Sequence, residues 1–205
     1  METVKGPAEQ RVMLHNVSWE TYARLVAERG DRRVPRFAYD RGELEIMSPS
    51  TEHESVAYFL GLLVALFAGE TGVNAYGVGS TTFKREDLER GFEPDSCFYV
   101  QNEERIRGKS RIDLDVDPPP DLVIEVDITS PSLAKLPIYA RIGVREIWRH
   151  DGERVSIFVL RGARMRNSPR ARYCRPSPDR SSPALSKRAT RLAAQRGRAG
   201  CASGR

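Results

Sequence analysis

The sequence predicts a mixed domain of the α/β or α+β class, in which helices pack against a central sheet. Two observations carry this prediction: helical apolar periodicity in some segments, and strand-like alternation or short apolar runs in others. The chain has 205 residues, 40% of them hydrophobic, which is long enough to bury a core. This size suits one domain with an appendage.

The first half of the chain predicts a helix, a hairpin and a second helix. Residues 16–29 place their apolar side chains on one side of a helix, with Ser18 suited to cap its start and Gly30 to end it. Residues 36–48 alternate apolar and acidic side chains around an Asp-Arg-Gly turn, which indicates a hairpin. Residues 50–70 give the clearest helix prediction, because they open with Ser, Thr and acids.

The second half predicts an extended segment, a strand, a charged loop, a buried strand, a helix and a closing hairpin. In that order they occupy residues 73–83, 92–100, 102–117, 122–129, 131–142, 145–149 and 154–160. Consecutive prolines at 118–120 delimit the charged loop. Pro137 makes the start of the helix hard to place.

Charge divides the chain into two regions. Residues 1–160 hold 20 Lys and Arg against 27 Asp and Glu, a net charge of −7, whereas residues 161–205 hold 13 against one, a net charge of +12. From Gly162 onward the sequence has no Val, Ile, Phe or Trp. We therefore expect a folded domain at 1–160 and a disordered basic tail at 161–205. The abrupt change of composition suggests a frameshifted reading frame; the alternative is a genuine basic arm.

The cellular compartment is predicted from features that the sequence lacks. The three cysteines form no CxxC pair, so a disulfide framework or zinc ribbon is not expected. The N-terminus is polar and lacks the apolar region of a signal peptide. The longest apolar run, 58–68, is shorter than the ~20 residues that span a bilayer. We expect a cytoplasmic protein with no membrane partner.

Two acidic residues are embedded in predicted strands. Asp95 follows a proline in one strand, and Glu125 lies in the middle of the apolar run LVIEV. A buried charge is costly unless it is paired or binds a metal. If the two strands are neighbours, both carboxylates can enter one cleft, where Mg²⁺ or Mn²⁺ would relieve their repulsion. Lys135 could stabilise charge there; alternatively, each of these residues lies on the surface.

Three further residues are candidates for the same cleft. His53 and Glu54 lie at the start of the 50–70 helix, and Asp127 stands two residues after Glu125. His53 could instead be a capping or solvated residue, and Asp127 could point outward. The apolar side of the helix is expected to be core; it includes Leu60, Leu63 and Phe67.

Five motifs follow one another along most of residues 15–160. They are ELEIMSPSTEHE (43–54), FEPDSCFYV (92–100), PPPDLVIEVDITSPS (118–132), KLPIYARIGVREIWRHDG (135–152) and RVSIFVL (154–160). Together they resemble the Uma-two family of restriction endonucleases, in the PD-(D/E)XK nuclease superfamily. The resemblance implies a restriction-endonuclease-like core, with a central mixed sheet flanked by helices, and Mg²⁺-dependent hydrolysis of phosphodiester bonds.

The resemblance also implies roles for individual residues. Asp95 matches the aspartate of the PD motif, and Glu125 matches the acid of the (D/E)XK half-motif. Asp127 stands where the simple pattern has lysine, and Lys135 matches the lysine that takes over in this family. We expect Asp95 and Glu125 to bind the metal, with the backbone carbonyl of Val126 as a third ligand.

Two functions remain open on the sequence alone. The first is a metal-dependent endonuclease acting on DNA, for which cleavage of both strands by one site per chain would favour a homodimer. The second is a catalytically inactive binding or assembly module on a nuclease fold, favoured by the absence of lysine at position 127. The acidic charge of residues 1–160 weighs against DNA, although 84–85 or 105–109 could contact phosphates.

Overall fold

The computed structural model describes residues 9–128 and 133–173. Within these ranges the chain forms four α-helices and two sheets. The helices are α1 (Trp19–Arg29), α2 (Thr51–Thr71), α3 (Glu103–Ile106) and α4 (Lys135–Ile142), with one 3₁₀ turn at Glu86–Leu88. The strands are β1 (Gln10–Leu14), β2 (Arg36–Asp40), β3 (Glu43–Ser48), β4 (Tyr76–Gly77), β5 (Phe83–Arg85), β6 (Arg90–Phe92), β7 (Ser96–Tyr99), β8 (Leu122–Val126), β9 (Glu146–His150), β10 (Val155–Arg161) and β11 (Arg164–Ser168).

The first sheet is antiparallel throughout, in the order β1-β3-β2-β6-β5. Its centre is the predicted hairpin of β2 and β3, which turns at Arg41 and Gly42. Both turn residues have positive φ, 47° and 96°. That conformation matches the twist of paired strands and favours glycine, which explains the turn chemistry of the sequence.

The second sheet is mixed, in the order β11-β10-β9-β8-β7-β4. Strand β8 pairs in parallel with β9 and antiparallel with β7, so it lies inside the sheet with a neighbour on each side. All five residues of β8 are buried. The sequence of β8 is a nearly continuous apolar run because both faces of this strand are covered. Apolar and polar side chains do not alternate in such a strand.

Helices α1 and α2 begin and end close to where the sequence predicts. The hydroxyl of Ser18 accepts a hydrogen bond from the Thr21 amide, and that of Ser50 accepts one from the His53 amide. Each hydroxyl satisfies a backbone donor that the first turn leaves without a partner, which stabilises a helix by about 1 kcal/mol.

One face of α2 packs on the second sheet. The buried residues are His53, Ala57, Leu60 and Val64, and the last three belong to one apolar cluster with three residues of β8, namely Leu122, Ile124 and Val126. Leu60 is in the core as expected, but Leu63 and Phe67 are 41% and 42% exposed. The expectation was wrong for these two, because only a narrow stripe at spacings of three and four residues meets the flat sheet.

Helix α2 is also the one helix in the described ranges that is long and apolar enough to cross a membrane, judged by length and composition. The apolar run 58–68 is only part of this helix, which has 21 residues. One such helix is weak evidence, because core helices of soluble proteins meet the same criterion.

The sheet continues past residue 160, where the sequence predicts the start of a tail. Strand β10 runs to Arg161, and β11 pairs with it antiparallel, Leu160 opposite Met165. The predicted boundary at 160 therefore falls too early. Main-chain hydrogen bonds at a sheet edge form without apolar side chains, so composition gives a weak signal there. The disorder predicted for 174–205 lies outside the described residues.

Helix α4 explains how Pro137 is tolerated. The helix begins at Lys135, so the proline occupies its first turn, where the backbone nitrogen needs no partner in the helix. Gly143 ends the helix in the left-handed conformation. The predicted charged loop at 102–117 also contains one short helix, α3, whose Ile106 is buried.

Candidate active site

Neighbouring strands bring the two embedded acids together. In the pairing of β7 with β8, Ser96 lies opposite Ile124. One step further along this register, Asp95 comes to lie opposite Glu125. The two residues are 7% and 2% exposed. The strands that carry the two acids are thus neighbours, and both acidic side chains lie inward. A cleft shared by the two carboxylates requires both features.

Helix α4 supplies two partners to Glu125. Lys135 Nζ lies 2.9 Å from Glu125 Oε2, and the hydroxyl of Tyr139 donates to Glu125 Oε1. Lys135 and Tyr139 are four residues apart, so they project from the same side of the helix. The predicted lysine therefore reaches the acid from the helix that follows the strand, and Tyr139 completes the contact.

Burial governs the electrostatics of this pair. Burial, together with the negative charges of Asp95 and Asp127, raises the pKa of Glu125 to about 7, although Lys135 acts in the opposite direction. Burial alone would lower the pKa of Lys135, but the charges of Glu125 and Glu45 raise it above its usual value. Lys135 is consequently a permanent cation, and Glu125 is the group that a further cation would keep ionised.

Asp95 is held by positive and neutral donors. Its Oδ1 accepts from Arg36 and lies 2.8 Å from His53 Nε2, while its Oδ2 accepts from the Val126 amide at 2.7 Å. Burial would raise the pKa of Asp95, but the hydrogen bond from His53 and the charges of His53 and Arg36 outweigh it, so the pKa is lowered. Asp95 is therefore the ionised member of the acidic pair.

His53 is fully buried between two carboxylates. Its Nε2 faces Asp95, and its Nδ1 lies 2.7 Å from Glu9 Oε2. Burial would lower the pKa of His53, but these two hydrogen bonds raise it to about 9. The imidazole is then protonated near neutral pH and donates from both nitrogens. The structure places His53 against Asp95 and Glu9, so its side chain is not solvated; its part in a catalytic cleft stays a prediction.

The other two predicted cleft residues lie at its edges. Glu54 is half exposed and touches the cluster through Arg36, whose Nη2 donates to Glu54 Oε1 at 2.6 Å. Asp127 is buried and accepts from Arg149 Nε at 2.6 Å and from Arg11 Nη2 at 3.2 Å. Asp127 therefore occupies the motif position of the missing lysine as part of an ion-pair network.

The first sheet contributes residues that the sequence argument missed. Glu45 lies in β3 and is 3.6 Å from Lys135 Nζ; it also accepts from Arg11 Nη1 at 2.9 Å and from the Leu133 amide at 3.2 Å. In the hairpin, Glu45 alternates with the apolar residues Leu44 and Ile46. It is nevertheless buried, because β3 lies between β1 and β2 and Glu45 contacts Arg11 and Lys135.

A cavity of about 440 Å³ opens beside the cluster. Its lining includes Glu125, Asp127, Lys135, Tyr139 and Arg149. Two carboxylates of the cluster, Glu125 and Asp127, thus border a space large enough for a small ligand. In the ranges 9–128 and 133–173, however, no group of three or more His, Cys, Asp or Glu side chains is arranged to hold a metal ion.

Comparison with known families decides the classification. A family model described as "Uma2: Putative restriction endonuclease" matches residues 19–193, which is most of the chain. The chain belongs to the Uma2 family. A crystal structure from Anabaena variabilis, described as "a putative nuclease belonging to DUF820", is 14% identical with a TM-score of 0.50. The match covers 84% of this chain and 92% of that one and concerns the fold alone. No curated protein matches.

The Uma2 assignment confirms the family resemblance that the sequence predicts. The two sheets with their helices, and the likeness to the solved nuclease structure, confirm the fold class. Asp95, Glu125 and Lys135 lie within the matched residues, whereas Glu9 and Arg11 precede them. The roles of these side chains stay predictions. So does the carbonyl of Val126 as a ligand, although its amide is bonded to Asp95.

Proposed function

We propose that this Uma2 protein is a Mg²⁺- or Mn²⁺-dependent endonuclease that hydrolyses phosphodiester bonds in DNA. The observation that carries the proposal is that Asp95 and Glu125 are buried on adjoining strands, with Lys135 against Glu125 from helix α4. Glu125 and Lys135 also line the cavity. Family membership supports nuclease chemistry in general. The metal, the substrate and the role of each residue are parts of the proposal.

The donor set fits a hard divalent cation. Asp95 and Glu125 offer carboxylate oxygens, and Mg²⁺ and Mn²⁺ prefer oxygen ligands. Burial raises the pKa of Glu125 to about 7, so its ionised form is costly until a cation offsets the charge. Asp95, Glu125 and the carbonyl of Val126 would hold the ion. When bound, such an ion polarises a phosphoryl oxygen and lowers the pKa of its water.

The protein side chains have separate tasks in this proposal. Lys135 remains protonated and can stabilise negative charge that develops on the phosphate. Tyr139 fixes the orientation of Glu125 by donating to Oε1. His53 and Arg36 keep Asp95 ionised and fix its rotamer.

Arginine side chains offer a route for DNA despite the acidic charge of residues 1–160. Arg149 lines the cavity and is 30% exposed. In the segment 105–109, which begins in α3, Arg105 and Lys109 are exposed. Phosphate contacts by such side chains supply most of the affinity of proteins for DNA and weaken with salt. We therefore expect binding that falls steeply as salt is raised.

A plasmid-nicking assay tests the proposal. Purified protein is incubated with supercoiled DNA and Mg²⁺, Mn²⁺ or EDTA, and compared with Asp95→Asn and Glu125→Gln. Asp117→Asn is a matched control, because Asp117 also pairs with a lysine, Lys109, outside the cluster. Nicking should require the metal and be lost in both site variants only. Activity that survives both substitutions contradicts the proposal.

A non-catalytic binding module is the second candidate. It is favoured because both carboxylates already have cationic partners, Arg36 and Lys135, and because the described ranges hold no metal-binding group of three such side chains. In that case the protein would bind DNA or a protein partner with no metal-dependent cleavage. Titration calorimetry with Mn²⁺ separates the two candidates. If the protein is the metal-dependent endonuclease, the heat of Mn²⁺ binding seen with wild type is lost in the Glu125→Gln variant. If it is the binding module, the substitution causes no such loss.

A further inference from the structure

Helix α2 carries a second apolar face that the described domain leaves exposed. We call it the outer face of α2; it consists of Tyr58, Phe59, Leu62, Leu63, Leu66 and Phe67. Tyr58, Phe59 and Leu66 are 67%, 65% and 58% exposed. Scattered exposed apolar residues need no explanation, but a contiguous patch marks an interaction site. A helix that is apolar on opposite sides is suited to burial on both.

The outer face has the area of a dimer interface. From their exposed fractions, the six side chains present about 600 Å² of surface, at the upper limit of the largest patch on a typical monomer. Homodimer interfaces are about 65% apolar, and stable complexes bury about 800 Å² per partner. If these apolar side chains form about 65% of the interface and surrounding polar residues form the rest, the area buried per partner reaches the ~800 Å² of a stable complex.

Other segments of the same chain are poor occupants for this face. Residues 1–8 and 174–205 contain four large aliphatic side chains in total: Met1, Val4, Leu185 and Leu192. The second of these segments is strongly basic. Such sequences carry too little apolar surface to cover two exposed aromatic rings and a row of leucines.

A membrane surface is also a poor occupant. Helices that lie in a bilayer interface carry Lys and Arg on their polar side, which contact anionic headgroups. Residues 51–71 contain no Lys or Arg, their acidic residues are Glu52, Glu54 and Glu70, and their one histidine, His53, is buried against Asp95 and Glu9. The opposite side of α2 is packed on β8 and is not available to lipid. The charge and the packing therefore favour a protein partner.

We propose that the outer face of α2 binds the outer face of a second copy, with the two helices antiparallel about a twofold axis. Phe59, Leu62 and Leu66 follow the spacing i, i+3, i+7 and form a seam along the helix. A twofold axis between Leu62 and Leu63 places Phe59 opposite Leu66 of the second copy. An aromatic ring then packs against an aliphatic side chain. A parallel pair would set each glutamate against itself, which is unfavourable.

Sedimentation velocity of the full chain over a range of concentrations tests the proposal. Wild-type protein should be a dimer, and Phe59→Glu/Leu66→Glu should weaken the dimer by at least about 100-fold, because central apolar anchors dominate such interfaces. Val116→Glu is the matched control: Val116 is 71% exposed, outside α2, and its replacement should leave the dimer intact.

Three results would overturn the dimer. The first is a monomeric wild type at all concentrations. The second is an equally stable dimer in the double variant. The third is a wild type that floats with anionic vesicles as a monomer and loses flotation in the variant, which would assign the face to a membrane. Phe59→Gln/Leu66→Gln repeats the experiment without new charge, and circular dichroism confirms that each variant is folded. Plasmid nicking is not a readout, so these outcomes are independent of the proposed nuclease activity.

Discussion

Replacing Lys135 with methionine should destabilise the protein through the loss of one buried charge. Lys135 Nζ is 2.9 Å from Glu125 and 3.6 Å from Glu45, and its side chain is almost fully buried. At an effective dielectric constant of about 20, the closer pair alone contributes about 6 kcal/mol of attraction. The cost of burying the ammonium offsets a large part of this, so breaking such pairs typically costs about 3–5 kcal/mol.

We expect a loss of about 3 kcal/mol for Lys135→Met, at the lower end of that range. The reason is that Glu125 can take up a proton in the variant, since its pKa is already about 7. In a Glu125→Gln background, the same substitution removes only the longer contact with Glu45. It should then cost about 1 kcal/mol, which leaves a coupling energy of about 2 kcal/mol between Lys135 and Glu125.

Urea unfolding in EDTA near neutral pH measures the four free energies of this cycle. Lys109→Met is the matched control, because Lys109 also pairs with an acid, Asp117, but its side chain is 41% exposed. Its loss should cost less than about 1 kcal/mol. If Lys135→Met costs the same in both backgrounds, the two residues are not coupled and the electrostatic account of the cluster is refuted.

Three further predictions concern hydrogen bonding, pH and reactivity. Tyr139→Phe removes the donor to Glu125 and should cost about 1–2 kcal/mol in urea unfolding and reduce nicking, whereas Tyr99→Phe should reduce stability only. Glu146 is buried, and burial raises its pKa, so its contribution to stability is present below the ordinary value of 4.5 and is lost as pH rises through the raised value. The stability of wild type minus that of Glu146→Gln should therefore fall with rising pH, and a flat difference would contradict this. Burial likewise raises the pKa of Cys97, so in thiol titration with a disulfide reagent this cysteine should react only after unfolding; prompt reaction of all three thiols in folded protein would refute its burial.

Local signals in the sequence were sufficient for helices α1 and α2 and for the hairpin of β2 and β3. Ser18 and Ser50 cap α1 and α2 because a hydroxyl at the start of a helix satisfies a nearby amide, which depends on residues three apart. The sequence also singles out Asp95 and Glu125, because an acid within an apolar run signals a compensated charge. That their strands adjoin is shown only by the structure. The same reasoning could not find Arg36, Tyr139 or Glu45, since each looks like an ordinary helix or strand residue in its own segment.

The sequence by itself determined the two long helices, the β2–β3 hairpin and the buried strand β8, and which acids must be compensated, because helix capping, turn chemistry and desolvation act on a residue and its near neighbours. The short elements β1, α3 and β11 carry no comparable local signal. The tertiary structure decided what compensates those acids. It placed Lys135 and Tyr139 in contact with Glu125, and His53 and Arg36 in contact with Asp95. It also left one face of α2 exposed. These contacts depend on which helices and strands pack together. The residues next to a position in the sequence do not show whether a distant segment of the chain buries its side chain.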